Sequence, residues 1–266
     1  MHRSLAAFGF AALALLPPAA PTYAAAPAPD FASIGAAQVG AVEADATLAL
    51  ADGRKLRLAG IDLPLSGALA RQAREALSGL VLGKEIDLRS AGVPRDRQGR
   101  VLAQIFVGTL WIEGELLRRG LALVHSTADT RLGVAAMLRL ERQARRYHRG
   151  LWADPAYAII EAQDTAKFAG AFRLVTGTVS AAAKTSRGIV LRFGPEDSAA
   201  LAALVDARAL TLCQEAGLDP LALEGKRLLI RGFIDGTRRP VMAITHPEQI
   251  ELLRAKKTAP AKPPGP

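Results

Sequence analysis

Two spacings of apolar residues alternate along this 266-residue chain. Thr47-Leu48-Ala49-Leu50 alternates toward Asp52-Gly53, a dipeptide that favours a tight hairpin turn, and residues 55–61 return as a second strand. From residue 66 to 80 the spacing becomes helical, with Leu69, Ala73, Ala76, Leu77 and Leu80 on one face and Gly83 as the stop. Residues 85–88 and 101–107 read as strands around the turn Asp96-Arg97-Gln98-Gly99. Residues 112–119 predict a short helix closed by Gly120, residues 121–124 a short strand, and residues 132–148 a long helix with Met137, Leu138, Leu140 and Ala144 as its apolar positions. Strands, a helix, more strands and terminal helices predict an α+β domain built on a small barrel.

After Trp152-Ala153-Asp154-Pro155 the pattern becomes mostly strand-like. Residues 172–179, 188–194, 223–234 and 240–244 read as strands, interrupted by a helical stretch at 210–216. The expected organisation is a first domain over 31–160 and a second, mostly-β domain over 165–254. Residues 255–266, rich in Pro, Lys and Ala, are expected to be a disordered basic tail. The first 24 residues carry Arg3, an apolar run over 5–16 and Thr22-Tyr23-Ala24, the pattern of a cleaved secretory signal, with 25–30 as a linker. These features predict an exported, periplasmic or secreted protein with no integral membrane span once the signal is removed.

The formal charge of +9 favours an anionic partner. One cysteine, Cys213, excludes an intramolecular disulfide framework and a multi-cysteine zinc site, and its default place is a buried helix face. His2, His125, His148 and His246 form no ligand spacing, and Trp111 and Trp152 are assigned to the first core. The basic helix end with Arg142, Arg145, Arg146 and Arg149 is a candidate contact to a nucleic-acid backbone.

The informative stretch is Arg57-Leu58-Ala59-Gly60-Ile61-Asp62-Leu63-Pro64, a strand running into a turn with an arginine and a carboxylate at its two ends. Asp96-Arg97-Gln98-Gly99-Arg100 places a second arginine where the next strand begins. Two arginines aimed at one site can grip a phosphate, and a carboxylate beside them can hold a hard divalent cation. The order continues through Leu116-Leu117, Gly120-Leu121-Ala122, Glu141, Ala144 and Gly150-Leu151-Trp152. Over about 31–157 the chain resembles the thermonuclease family, whose type member is staphylococcal nuclease. The resemblance implies a five-stranded OB-like barrel with helices and calcium-dependent hydrolysis of DNA and RNA.

Carried over position by position, the resemblance makes Arg57 and Arg100 the phosphate clamp and Asp62 a metal ligand, with the Leu63 carbonyl as a possible further one. The family's water-activating glutamate falls at Leu65, which can neither accept a proton nor orient water. Counting back from Gly53 without gaps, the other metal aspartate falls at Ala46, and Asp45 sits one residue early. In the second domain, Gly177-Thr178-Val179, residues 223–232 and His246-Pro247-Glu248-Gln249-Ile250-Glu251 resemble OB-fold nucleic-acid-binding domains. That block offers only Phe168, Phe172, Phe193 and Phe233 for base stacking. The leading expectation is a protein that binds nucleic acid or another phosphate-bearing polymer through a degraded phosphodiesterase site, with calcium binding weakened or lost. The alternatives are an active calcium-dependent nuclease and a non-catalytic envelope module that uses both barrels as protein-binding surfaces, with the second domain as a candidate contact to a protein partner.

Overall fold

The computed structural model describes residues 28–195, 198–236 and 238–253. The expected signal, residues 25–27 of the linker and the basic tail lie outside the described residues.

The first domain runs β1 (Ser33–Val42), β2 (Leu48–Leu50), β3 (Lys55–Leu58), β4 (Ile61–Asp62), α1 (Gly67–Val81), β5 (Glu85–Arg95), β6 (Val101–Val107), β7 (Leu110–Trp111), α2 (Ile112–Arg119), β8 (Leu123–Val124) and α3 (Val134–Arg146). The sheet order is β3-β2-β1-β5-β6-β7, and a parallel pairing of β3 with β6 closes five of these strands into a barrel. Alternation in β3 turns Leu56 and Leu58 inward and leaves Lys55 and Arg57 outside. The interior holds Leu48, Leu56, Ile86, Leu88 and Ile105, and Leu77, Leu116 and Met137 of the three helices pack on it. β6 is buried on both faces because the barrel lies on one side and helices on the other. Trp111 joins this core and donates its indole N–H to Gln104, as a buried indole requires.

The second domain contains β9 (Ile160–Glu161), β10 (Phe172–Thr178), β11 (Ala181–Thr185), β12 (Gly188–Arg192), β13 (Ala202–Val205), α4 (Ala207–Glu215), β14 (Arg227–Asp235), β15 (Val241–Ile244) and β16 (Ile250–Leu252). They form one curled sheet in the order β11-β12-β13-β15-β14-β10-β9, with β16 added beside β14. The α+β class, with a closed barrel and a second mostly-β unit, is the one expected. The strand plan of the second unit needs correction. Ala181–Thr185 pairs with β12 although its run of alanines gives no alternation, and Ala202–Val205 was not separated as a strand. Cys213 is fully buried on α4, as expected.

The long helix starts two residues later than its apolar pattern suggests. Gly133 takes a left-handed conformation (φ 76°) against the Phe31 ring and thereby sets the helix start. Among the described residues no helix is long and apolar enough to cross a membrane.

Candidate functional site

The site is built where β3, the following turn and β8 meet. Arg57 pairs with Leu102 across the parallel ladder, and Arg100 lies two residues before Leu102, so both arginines belong to the same outer face. Gly60 reverses the chain with φ 76° and its carbonyl accepts the His125 N–H at 2.9 Å. The short β4–β8 ladder sets Asp62 opposite Leu123. His125, two residues on, is therefore the diagonal neighbour of Asp62 on the same face.

Asp62 is held from two sides. Its Oδ1 accepts from the Arg57 guanidinium, and its Oδ2 contacts His125 Nδ1. Burial opposes ionisation of this carboxyl, but His125 and then Arg57 outweigh it and keep Asp62 below the usual carboxylate range. Arg100 is anchored differently. Its Nε donates to Asp96 at 2.7 Å, and its Nη1 donates to Thr47 Oγ1 at 2.7 Å and to Asp45 at 3.2 Å. The Asp96 carboxylate also accepts the Gln98 and Arg100 backbone N–H groups, which fixes the turn that aims Arg100.

Asp45 stands one residue before Ala46, the position to which the gap-free count assigns the metal aspartate. Both residues sit in the turn between β1 and β2, with Ala46 left-handed at φ 63°. The Asp45 carboxylate accepts the Thr47 N–H and hydroxyl at 3.0 and 2.9 Å. Slight burial opposes these contacts, which with the Arg100 charge leave the Asp45 carboxyl acidified. Asp45 and Ala46 both reach the same cleft as Asp62, although the Ala46 methyl offers no ligand.

That cleft has a volume of about 320 Å³. Thr47, Arg57, Asp62 and Leu63 line it, as does Leu65, whose side chain is 76% exposed. Two further lining residues, Phe172 and Phe233, come from the second domain. The sequence offered no sign of this juxtaposition, nor of the His125 contact to Asp62.

Calcium is held by six to eight oxygens. Here both oxygens of Asp62 face Arg57 and His125, and those of Asp45 face Thr47 and Arg100. No cluster of three or more His, Cys, Asp or Glu side chains suited to a metal occurs among the described residues. The donor set as it stands does not fit a calcium ion.

The remaining sequence candidates lie elsewhere. Arg145 is mostly buried and pairs with Glu251 of the second domain at 3.3 Å, and Arg142 approaches the same carboxylate at 3.5 Å. Arg146 and Arg149 lie over the Tyr147 ring, and Arg149 also donates to the Arg118 carbonyl. None of the four lines the cleft. The motif beginning at His246 also has a local role. His246 Nε2 bonds Ser126 Oγ at 2.8 Å, Glu248 takes a fork from Arg131, and Glu251 takes Arg142 and Arg145. These residues form the seam between the domains.

Comparison with known proteins agrees with this architecture. Residues 55–154 match the family model described as Staphylococcal nuclease homologue. Protein ParB of Escherichia coli is 36% identical over 115 residues, covering 38% of this chain and 61% of that protein. Micrococcal nuclease of Shigella flexneri is 31% identical over 111 residues, covering 38% of this chain and 62% of that protein. Probable staphylococcal-like nuclease CAN3 of Oryza sativa subsp. japonica is 35% identical over 101 residues, and the chain spans only 26% of its length. With the closed barrel and the placement of Arg57, Asp62 and Arg100, these matches identify residues 55–154 as a thermonuclease-like domain of the staphylococcal nuclease family.

Proposed function

We propose that the protein binds nucleic acid, or another phosphate-bearing polymer, at the Arg57 cleft and has lost efficient phosphodiester hydrolysis. One observation carries this reading. Leu65 stands exposed in the cleft where the resemblance calls for the water-activating glutamate, while Asp62 is engaged by Arg57 and His125. Losing general-base help costs about 10²–10⁴-fold in rate. Calcium binding is weakened with it, because two carboxylates already satisfied by cations and hydroxyls must give up those partners to coordinate. The half-exposed Arg57 guanidinium and the excess of basic residues support binding that is independent of sequence. The N-terminal pattern supports a place outside the cytoplasm, which cell fractionation would check.

The test uses the protein with single-stranded DNA and RNA, in calcium and in chelator. The expected result is binding that weakens steeply with salt, with no cleavage in either condition. Calcium-dependent cleavage abolished by Arg57→Ala would overturn the reading in favour of a working nuclease. Absence of any binding at low salt would move the assignment to a protein-interaction module.

A further inference from the structure

Phe172 and Phe233 are direct partners across the β10–β14 ladder. Their rings lie 5.5 Å apart at 76°, a favourable edge-to-face arrangement. They do not belong to the second core, which is built from the opposite face of these strands by Val175, Leu228, Ile230 and Ile234. Phe233 is 51% exposed, and both rings line the cleft that holds Arg57. His125 ties the two features together. Its ring centroid lies 4.8 Å from Phe172 and 5.8 Å from Phe233, while its Nδ1 contacts Asp62 beside Arg57. Two residues before Phe233 on the same strand face, Arg231 is buried against Glu141 of the first domain, which anchors this strand face against that domain.

We propose that the second domain supplies a nucleobase platform to the cleft, where one base of a single-stranded nucleic acid stacks on Phe233, with Phe172 against its edge, while a neighbouring phosphate meets Arg57. The apolar rings and the adjacent guanidinium match the two halves of a nucleotide. The cleft of about 320 Å³ falls within the roughly 300–1,000 Å³ typical of small-ligand pockets. Single strands are the fitting occupant because every base presents a π-face once it is out of a duplex, and stacking tolerates any sequence. This inference rests on the nucleic-acid reading above and adds what recognises the base.

The experiment measures binding of a thymidine homopolymer and of an abasic strand of the same length, in chelator at low salt, by fluorescence anisotropy. The two strands carry the same charge and differ only in their bases. The thymidine strand should bind more tightly. Phe233→Ala and Phe233→Leu should each weaken it by about 5- to 100-fold, toward the abasic value, and leave the abasic strand unchanged. Phe233→Tyr should retain the preference. Because Phe233 is half exposed, these variants should unfold at the native temperature, which a melting curve verifies. Equal binding of the two strands, or an equal loss for both in Phe233→Ala, would overturn the platform while leaving phosphate binding intact. If neither strand binds the native protein, the platform falls together with the nucleic-acid reading.

Discussion

Arg231 of the second domain lies with its Nη2 2.8 Å from Glu141 Oε2 of the first, and neither side chain is more than 4% exposed. Arg231 Nη1 also reaches Glu141 Oε1 at 3.1 Å and the Val124 carbonyl at 3.3 Å, while Glu141 Oε1 accepts the Val124 N–H at 2.8 Å. The pair thus joins both domains to the residue just before His125. A buried charge that loses its partner costs about 3–5 kcal/mol, whereas an exposed pair is worth about 0–1 kcal/mol. Arg231→Met should therefore destabilise the protein by about 3–5 kcal/mol in urea unfolding. Adding Glu141→Gln, which removes the stranded charge but keeps an acceptor for Val124, should recover most of the loss. A single-variant cost near that of a surface pair would show that the seam is wet.

Leu65→Glu places a third carboxylate in the cleft with Asp45 and Asp62. Asp62 nonetheless remains engaged by His125 and Arg57. The expected outcome is that Leu65→Glu alone gains little calcium-dependent cleavage. Leu65→Glu combined with His125→Ala, which frees one Asp62 oxygen, should exceed the single variant by about 10²-fold or more, the scale of a restored general base. Calorimetric calcium titration of the two proteins checks the cause directly. Robust cleavage by Leu65→Glu alone would mean that Asp62 releases His125 at little cost.

His246 is 1% exposed at the seam, bonded to Ser126 and Thr245. Burial pushes its pKa down to about 4, with Glu248 opposing and Arg131, His125 and Arg231 adding to the shift. The folded state therefore prefers neutral His246, whereas the unfolded chain protonates near 6.5. The stability this provides is complete above about pH 6.5 and is lost as pH falls toward 4, by about 3 kcal/mol in all. Between pH 4 and 6.5 urea unfolding of the native protein should rise more steeply with pH than that of His246→Gln. Glu113, which burial raises to about 8, contributes a slope of opposite sign in the same window, so the His246 part is read as the difference between the native protein and His246→Gln.

Much of the first domain was legible because its elements follow local rules. The helix over Ile112–Arg119 ends at Gly120, whose left-handed φ of 71° and contact with the Arg149 carbonyl leave no room for a side chain. The turn before Arg100 was marked by Asp96 and Gly99, and its hydrogen bonds are the ones such residues make. The second domain was less legible. A strand of alanines has no polar–apolar contrast, and Ala181–Thr185 is recognisable only by the partner it pairs with.

Within the site, the residues that could be named in advance were those whose neighbours are close in sequence. Arg57 and Asp62 flank one turn, and the resemblance set the family's glutamate position at Leu65 without coordinates. His125 is 63 residues from Asp62, and no spacing rule connects them. The helix-end arginines read as a nucleic-acid contact because a helix sequence cannot declare which surface another domain will cover, and Glu251 covers Arg145. Phe172 and Phe233 gave no hint in sequence of standing beside Arg57, for the same reason. Sequence by itself determined the strands and helices of the first domain and the turns that carry Arg57, Asp62 and Arg100, because each depends on backbone geometry within a few residues. Only the tertiary structure decided what Asp62 touches and what walls the cleft, because those contacts arise where two separately folded sheets bury their faces against each other.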